Sequence, residues 1–213
     1  MSDPRVAAIP VQDCGEELSD IRASGVFLVD DRKRDPEGHY ALLRHSLIER
    51  LQQAQQLLPS GLRLLIIEGY RPPELQRAYF EKYVTELRRN NPGWTDGRVH
   101  EAASRYVSPP EIAPHSAGAA VDLTLATADG QEVDMGTRVN ASPEESGGAC
   151  YTEADSISPT ARAHRETLCR VMSSAGFCNY RTEWWHFSFG DRYWALHVDR
   201  PTAIYGPREG TGT

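Results

Sequence analysis

Two histidines, an aspartate and a glutamate stand out because their types and order could build a hydrolytic metal site. A catalytic zinc ion takes three protein ligands and keeps a further position open for water, and imidazole and carboxylate both suit it. His115 and Asp122 could supply two of these ligands. They stand too far apart to be neighbours on one regular strand, so the segment containing Gly118 must bend to aim both at one point. Glu183-x-x-His186 could supply the rest: a third imidazole, and a carboxylate able to take a proton from water without being a ligand itself. Alone, such a pair is common in soluble proteins, and a lone histidine is more often a surface or packed residue than a ligand. Arg71 reads equally as an anchor for the turn it stands in.

Positioning these groups falls to a few legible elements. Arg63 to Glu68 is a continuous aliphatic run of strand length, the pattern of a strand buried on both faces, and it delivers Gly69-Tyr70-Arg71-Pro72-Pro73 at its end. The second half of the 115–125 segment is strand-like. Asp129-Gly130 is a hairpin dipeptide that would return the chain as an antiparallel strand through Glu132 and Val133. A short strand is expected over residues 25–29, and closing strands over 176–180, 183–189 and 191–196, where aromatic residues alternate. Leu42, Leu43, Leu47, Leu51, Ala54, Leu57 and Leu58 predict an amphipathic helix over residues 40–58. Further helices are expected from Glu74 to Arg89, from the Asn90-Asn91-Pro92-Gly93 break to about Tyr106, and from Ser158-Pro159 to Ser174. Residues 136–157 lack periodicity and read as a flap beside the site. Residues 1–25 read as irregular and 207–213 as a flexible polar tail.

Composition bounds the function. A chain of 213 residues with 39% hydrophobic and 25% charged residues has an ordinary globular balance and enough length to bury a core. Its net charge of −7 argues against a nucleic-acid footprint. The locally basic Asp31-Arg32-Lys33-Arg34 and Arg88-Arg89 read as solvated surface. No stretch approaches the ~20 apolar residues of a membrane span. No apolar segment follows Met1-Ser2-Asp3-Pro4-Arg5, which gives the expectation of a cytoplasmic protein. Cys14, Cys150, Cys169 and Cys178 are irregularly spaced and read as free thiols. His39, His45, His100, His164 and His197 lack a partner motif and read as surface or packed residues, and Trp184 and Trp185 as packing beside the site.

In combination the motifs are specific. His115-Ser116-Ala117-Gly118-Ala119-Ala120-Val121-Asp122, followed by Glu183-Trp184-Trp185-His186, resembles the metal signature of the D-alanyl-D-alanine dipeptidases of the vancomycin-resistance type. Gly69-Tyr70-Arg71-Pro72 matches a third family element, and the match in order runs from about Leu64 to Leu196. The resemblance implies one zinc per chain held by His115, Asp122 and His186, with Glu183 as the catalytic base and Arg71 on the scissile carbonyl. It further implies Tyr70, Ser116 and Asn140 at the substrate, which would be a small peptide of the D-Ala-D-Ala type. Pattern and resemblance together predict one α+β domain over residues 1–213, with a central, mainly antiparallel sheet, helices packed on one side and a single zinc cleft.

The sequence also departs from the family. A serine two positions before the first zinc histidine, and an aspartate after a Met-Gly-Ser/Thr segment, meet the substrate's amino group there; Ala113 and Asn140 stand here. Asp134, Glu144, Glu145 or Asp155 would be replacements for the missing anion. The family's Tyr-Ala-Thr...Asn-Phe element is replaced by Val26-Phe27-Leu28-Val29-Asp30-Asp31. Two rival functions follow: a peptidase or amidase acting on N-blocked or larger cell-wall-type peptides, and a non-catalytic zinc-binding module. Glu183 argues against the second, because a structural zinc site closes its coordination and has no use for a base.

Overall fold

Leu64 to Ile67 and Val121 to Leu125 put apolar side chains on both faces of an extended backbone, so both runs must be covered from two sides. They become the two middle strands of the main sheet. The structure is a computed structural model and describes residues 3–208. In chain order its elements are α1 (Pro4–Ala8), β1 (Leu18–Asp20), β2 (Leu28–Val29), β3 (Leu42–Arg44), α2 (His45–Gln56), β4 (Leu62–Glu68), α3 (Pro73–Asn90), α4 (Asp96–Tyr106), β5 (Ala120–Thr127), α5 (Pro143–Ser146), α6 (Pro159–Ser174), β6 (Cys178–Asn179), β7 (His186–Ser188) and α7 (Arg192–His197).

Five strands form the main sheet in the order β2-β4-β5-β7-β6; β2 pairs parallel with β4 and every other pairing is antiparallel. This is the expected α+β architecture with a mainly antiparallel sheet. Its core joins Leu47 and Leu51 of α2, Leu168, Val171 and Met172 of α6, and the strand residues Leu64, Ile66, Val121, Leu123 and Leu125. β1 and β3 make a separate two-stranded ladder.

The register carries the site. Asp122 lies opposite His186 on one side and Glu68 on the other, so all three fall on the same face of the sheet. Glu68 reaches that face through an irregularity between Ile66 and Glu68, where one extra residue, Ile67, shifts the alternation.

Several expectations are corrected. Leu42 and Leu43 belong to β3, not to the helix, which opens at His45; pairing with Leu18 to Asp20 satisfies their backbone better than another helical turn would. The 25–29 strand shrinks to Leu28–Val29. Glu132 makes only an isolated bridge to Ala126. Residues 191–196 are helical rather than extended, because the Asp191 carboxylate caps the N–H groups of Tyr193 and Trp194. The first 25 residues contain α1 and β1. Arg208 is docked: its backbone N–H donates to Ser116 O (2.8 Å), and its guanidinium pairs with Glu17. Residues 209–213 of the expected tail lie outside the described residues.

A buried arginine ties the segments around Asp13 and Gly206 to the turn before β5. Arg44 is fully buried and donates to Ala117 O (2.8 Å), Asp13 Oδ2 (2.7 Å), Gly206 O (3.2 Å) and Glu16 O. Beside it, Gly118 has a φ of 63°, and a Cβ there would run into Leu18 Cδ2. Gly118→Ala combines left-handed backbone strain with overpacking and should cost about 2–4 kcal/mol. Urea unfolding of the variant, monitored by tryptophan fluorescence, checks this.

Candidate metal centre and active site

His115 opens a 3-10 turn, His115–Ala117, that ends in the left-handed Gly118; this is the bend the spacing required. The turn brings His115 over the start of β5, where Asp122 sits opposite His186. His115 Nε2 lies 3.2 Å from Asp122 Oδ1 and 3.2 Å from His186 Nδ1, and His186 Nδ1 lies 3.0 Å from Asp122 Oδ1. All three side chains are buried. A tetrahedral ion with bonds of about 2.0–2.1 Å separates its ligand atoms by roughly 3.3 Å, close to this triangle.

The donor chemistry fits a cation as well as the geometry does. His115 Nδ1 donates to Gly69 O at 2.6 Å, which leaves Nε2 as a bare lone pair. That lone pair faces a carboxylate oxygen and a second imidazole nitrogen, an arrangement a metal ion satisfies. Burial opposes charge on Asp122, but the imidazoles of His115 and His186 outweigh it and hold the carboxyl far below its usual range. Asp35, Glu37 and His39 form a second cluster of possible ligands. There the Asp35 carboxylate is occupied in accepting backbone N–H groups of Glu37, His39 and Tyr40.

Glu183 stands in the turn before β7, its Oε2 3.9 Å from His186 Nδ1. Burial pushes its carboxyl up to about 7; Asp122 adds to the rise, while His186 and Arg71 oppose it. A carboxyl with that pKa beside a metal triad can take and return a proton near neutrality.

Arg71 lies in the turn three residues past the end of β4 and lines the same cavity. It makes a two-pronged pair with Glu68, at 2.7 Å and 2.6 Å, and donates to Gln76 Oε1 at 2.8 Å. Gln76 is anchored by donating to Ser108 O at 2.6 Å. Among the described residues, no further hydrogen bond engages the guanidinium. Burial works against charge on Glu68, but Arg71, then His115 and Lys33, outweigh it and keep the carboxyl low. Sequence reasoning missed Glu68 and Gln76. The available signal was a carboxylate ending an otherwise aliphatic strand, three residues before an arginine.

The cavity measures about 260 Å³ and joins the metal triad, Glu183 and Arg71 to a wall of Tyr79, Tyr83, Tyr106 and Tyr180. Ala113 and Asn140 line it too. Asn140 holds a φ of 62°, and its carbonyl accepts from Tyr106 Oη at 3.3 Å. Tyr70 and Ser116, expected at the substrate, lie outside this cavity. Tyr70 donates to Arg208 O at 2.8 Å and packs edge-on against His39; buried Ser116 donates to Arg71 O at 3.0 Å. Both are spent on holding the turn together. Asp134, Glu144, Glu145 and Asp155 are also absent from the lining. Asp134 accepts from Gly136 N and Ser158 Oγ, and Glu145 closes a capping box and pairs with Arg138. Trp184 and Trp185 are core residues, packed edge-to-face, and neither lines the cavity.

The 136–157 segment is stapled down rather than free as a flap. Buried Arg165 of α6 donates to Met135 O (2.7 Å), Ala149 O (2.8 Å) and Tyr151 O (2.6 Å) and lies over the Trp184 ring. Trp184 Nε1 donates to Thr137 Oγ1 at 2.8 Å.

Comparison with known proteins identifies the family. Residues 27–203 match a peptidase family model described as D-ala-D-ala dipeptidase. A D-alanyl-D-alanine dipeptidase from Synechocystis sp. is 31% identical, covering 91% of this chain and 90% of its own. One from Enterococcus faecium is 31% identical, covering 69% of this chain and 72% of its own. Among solved structures, VanYB in complex with D-alanine-D-alanine aligns over 90% of this chain and 88% of its own, with a TM-score of 0.49 and 17% identity. With a family model spanning most of its length and a relative matched almost end to end, the chain belongs to the D-ala-D-ala dipeptidase family and is a zinc metallopeptidase.

Proposed function

We propose that the chain hydrolyses a D-Ala-D-Ala-type dipeptide in this cavity, with His115 Nε2, Asp122 Oδ1 and His186 Nδ1 holding the zinc and Glu183 as proton carrier. The observation that carries the reading is the triangle of three buried acceptor atoms, 3.0–3.2 Å apart, with a carboxylate of raised pKa beside it. Zinc bound there supplies a Lewis acid and acidifies water. Glu183 takes the proton of the attacking water and passes it to the leaving amine. Arg71 turns its unspent N–H groups towards the carbonyl oxygen, where negative charge develops, and Glu68 and Gln76 fix its plane. Arg71→Lys loses that fork and should lower kcat by about 100-fold with zinc still bound. Steady-state kinetics with metal analysis checks this.

Because burial raises Glu183, its basic form is lost as pH falls. The acid limb of kcat/KM is expected at or below about pH 7, where bound zinc would shift it further down. A rate that climbs towards acid pH would sink the assignment of Glu183 as base.

A second reading, action on peptides with a blocked amino end, is favoured by the cavity's charges. Its carboxylates are Asp122, Glu183 and the exposed Glu86 of α3, so no uncommitted buried anion awaits an ammonium group. Assay of free and N-acetylated D-Ala-D-Ala separates the two readings: hydrolysis of the free dipeptide alone supports the first, and a preference for the acetylated one supports the second. No helix among the described residues is long and apolar enough to cross a membrane. The four cysteines are free thiols, which suits a reducing compartment such as the cytoplasm.

A further inference from the structure

The basic run at residues 32–34 reads from sequence as solvated surface, yet one member lines the catalytic cavity. Lys33 shares that wall with Arg71, Tyr79, His115 and Asp122. Its side chain is only 26% exposed, and its ammonium stands 5.5 Å from the centre of the Tyr79 ring. The nearest anion is Glu68 Oε2 at 3.6 Å, beyond hydrogen-bonding distance. That same oxygen already accepts from Arg71 Nη2 at 2.6 Å. Two cations therefore share one carboxylate, and the Lys33 ammonium is left without a hydrogen-bonded anion of its own among the described residues. Arg32 and Arg34 differ from Lys33: Arg32 pairs with Asp30 and Glu132, and Arg34 lies outside this cavity.

From this geometry we infer that Lys33 is a specificity-determining residue that receives the free carboxylate of the substrate. A confined ammonium with unspent donors in a cavity of about 260 Å³ selects for an anion. In a dipeptide the carboxylate lies only two bonds beyond the scissile nitrogen. Its anchor must share the cavity of the metal ligands, as Lys33 does. Lys33 thereby favours a free carboxylate over an extended or amidated carboxyl end.

The inference rests on the proposed hydrolysis, and the experiment separates the two. Wild type, Lys33→Gln and Lys33→Arg are loaded with zinc and assayed on D-Ala-D-Ala and on its C-terminal amide. Wild type should prefer the free carboxylate. Lys33→Gln should raise KM for it by about 10- to 100-fold, with kcat changed little and the preference over the amide lost. Lys33→Arg should restore most of the preference. A Lys33→Gln enzyme that folds, binds zinc and keeps the wild-type ratio overturns the inference. A wild type that hydrolyses neither compound, in free or acetylated form, overturns the proposed hydrolysis instead. Circular dichroism and zinc content establish that each variant is folded.

Discussion

Replacing Glu183 with glutamine should lower kcat by about three orders of magnitude or more while zinc remains bound at one per chain. The substitution keeps size and polarity but removes the carboxylate that stands beside the triad as proton acceptor, and general-base removal alone is worth about 10²–10⁴-fold. Metal affinity should be nearly unchanged, because Glu183 Oε2 stands 3.9 Å from His186 Nδ1 and outside the triangle of ligand atoms. The variant should also be slightly more stable than wild type without metal, since a buried carboxyl that resists ionisation is replaced by a neutral amide. Calorimetric zinc titration and single-turnover kinetics on one preparation test both halves. Loss of zinc together with activity would make Glu183 a ligand instead of a base.

The second large effect is expected at Asp122. Its Oδ1 contacts both imidazoles, and Asp122→Asn removes the only negative charge in the ligand set. The variant should purify without zinc and without measurable hydrolysis. Its melting temperature should no longer respond to chelator, whereas wild type should lose several degrees when stripped, because a metal bound only by the folded state stabilises that state. Calorimetric scans with and without chelator give the answer. A wild type indifferent to chelation would contradict a zinc site at this triangle.

Much of the site was legible because metal chemistry restricts residue types. His115, Asp122 and His186 are what a zinc ion demands, and Gly118 between the first two announced the bend that joins them. β4, α3, α4 and α6 were legible because apolar run and helical period are strong signals. What escaped depends on tertiary contact. Glu68 reaches the site only through the irregularity at Ile67, which no periodicity encodes. Lys33 sits in a charged loop whose composition points to solvent. Leu42 and Leu43 fit a helical period, yet a partner strand from the N-terminal region claims them. Arg44 and Arg165 are of a type normally exposed and are buried here because backbone carbonyls surround them. For Arg165 a signal existed: it falls on the helix face of Ala161, Leu168 and Met172.

The node at Arg44 also sets an order of assembly. Ser116 and Ala117, which follow the first ligand, are gripped by residues from near both ends of the described chain, through Arg44, Asp13, Gly206 and Arg208. Contacts between segments so distant in sequence close slowly, because chain entropy must be spent before they repay it. The imidazole of His115 is therefore expected to come to rest only once those distant segments have closed on it. A half-formed chain presents scattered ligands rather than a pocket, and metal capture becomes a signal that folding is complete.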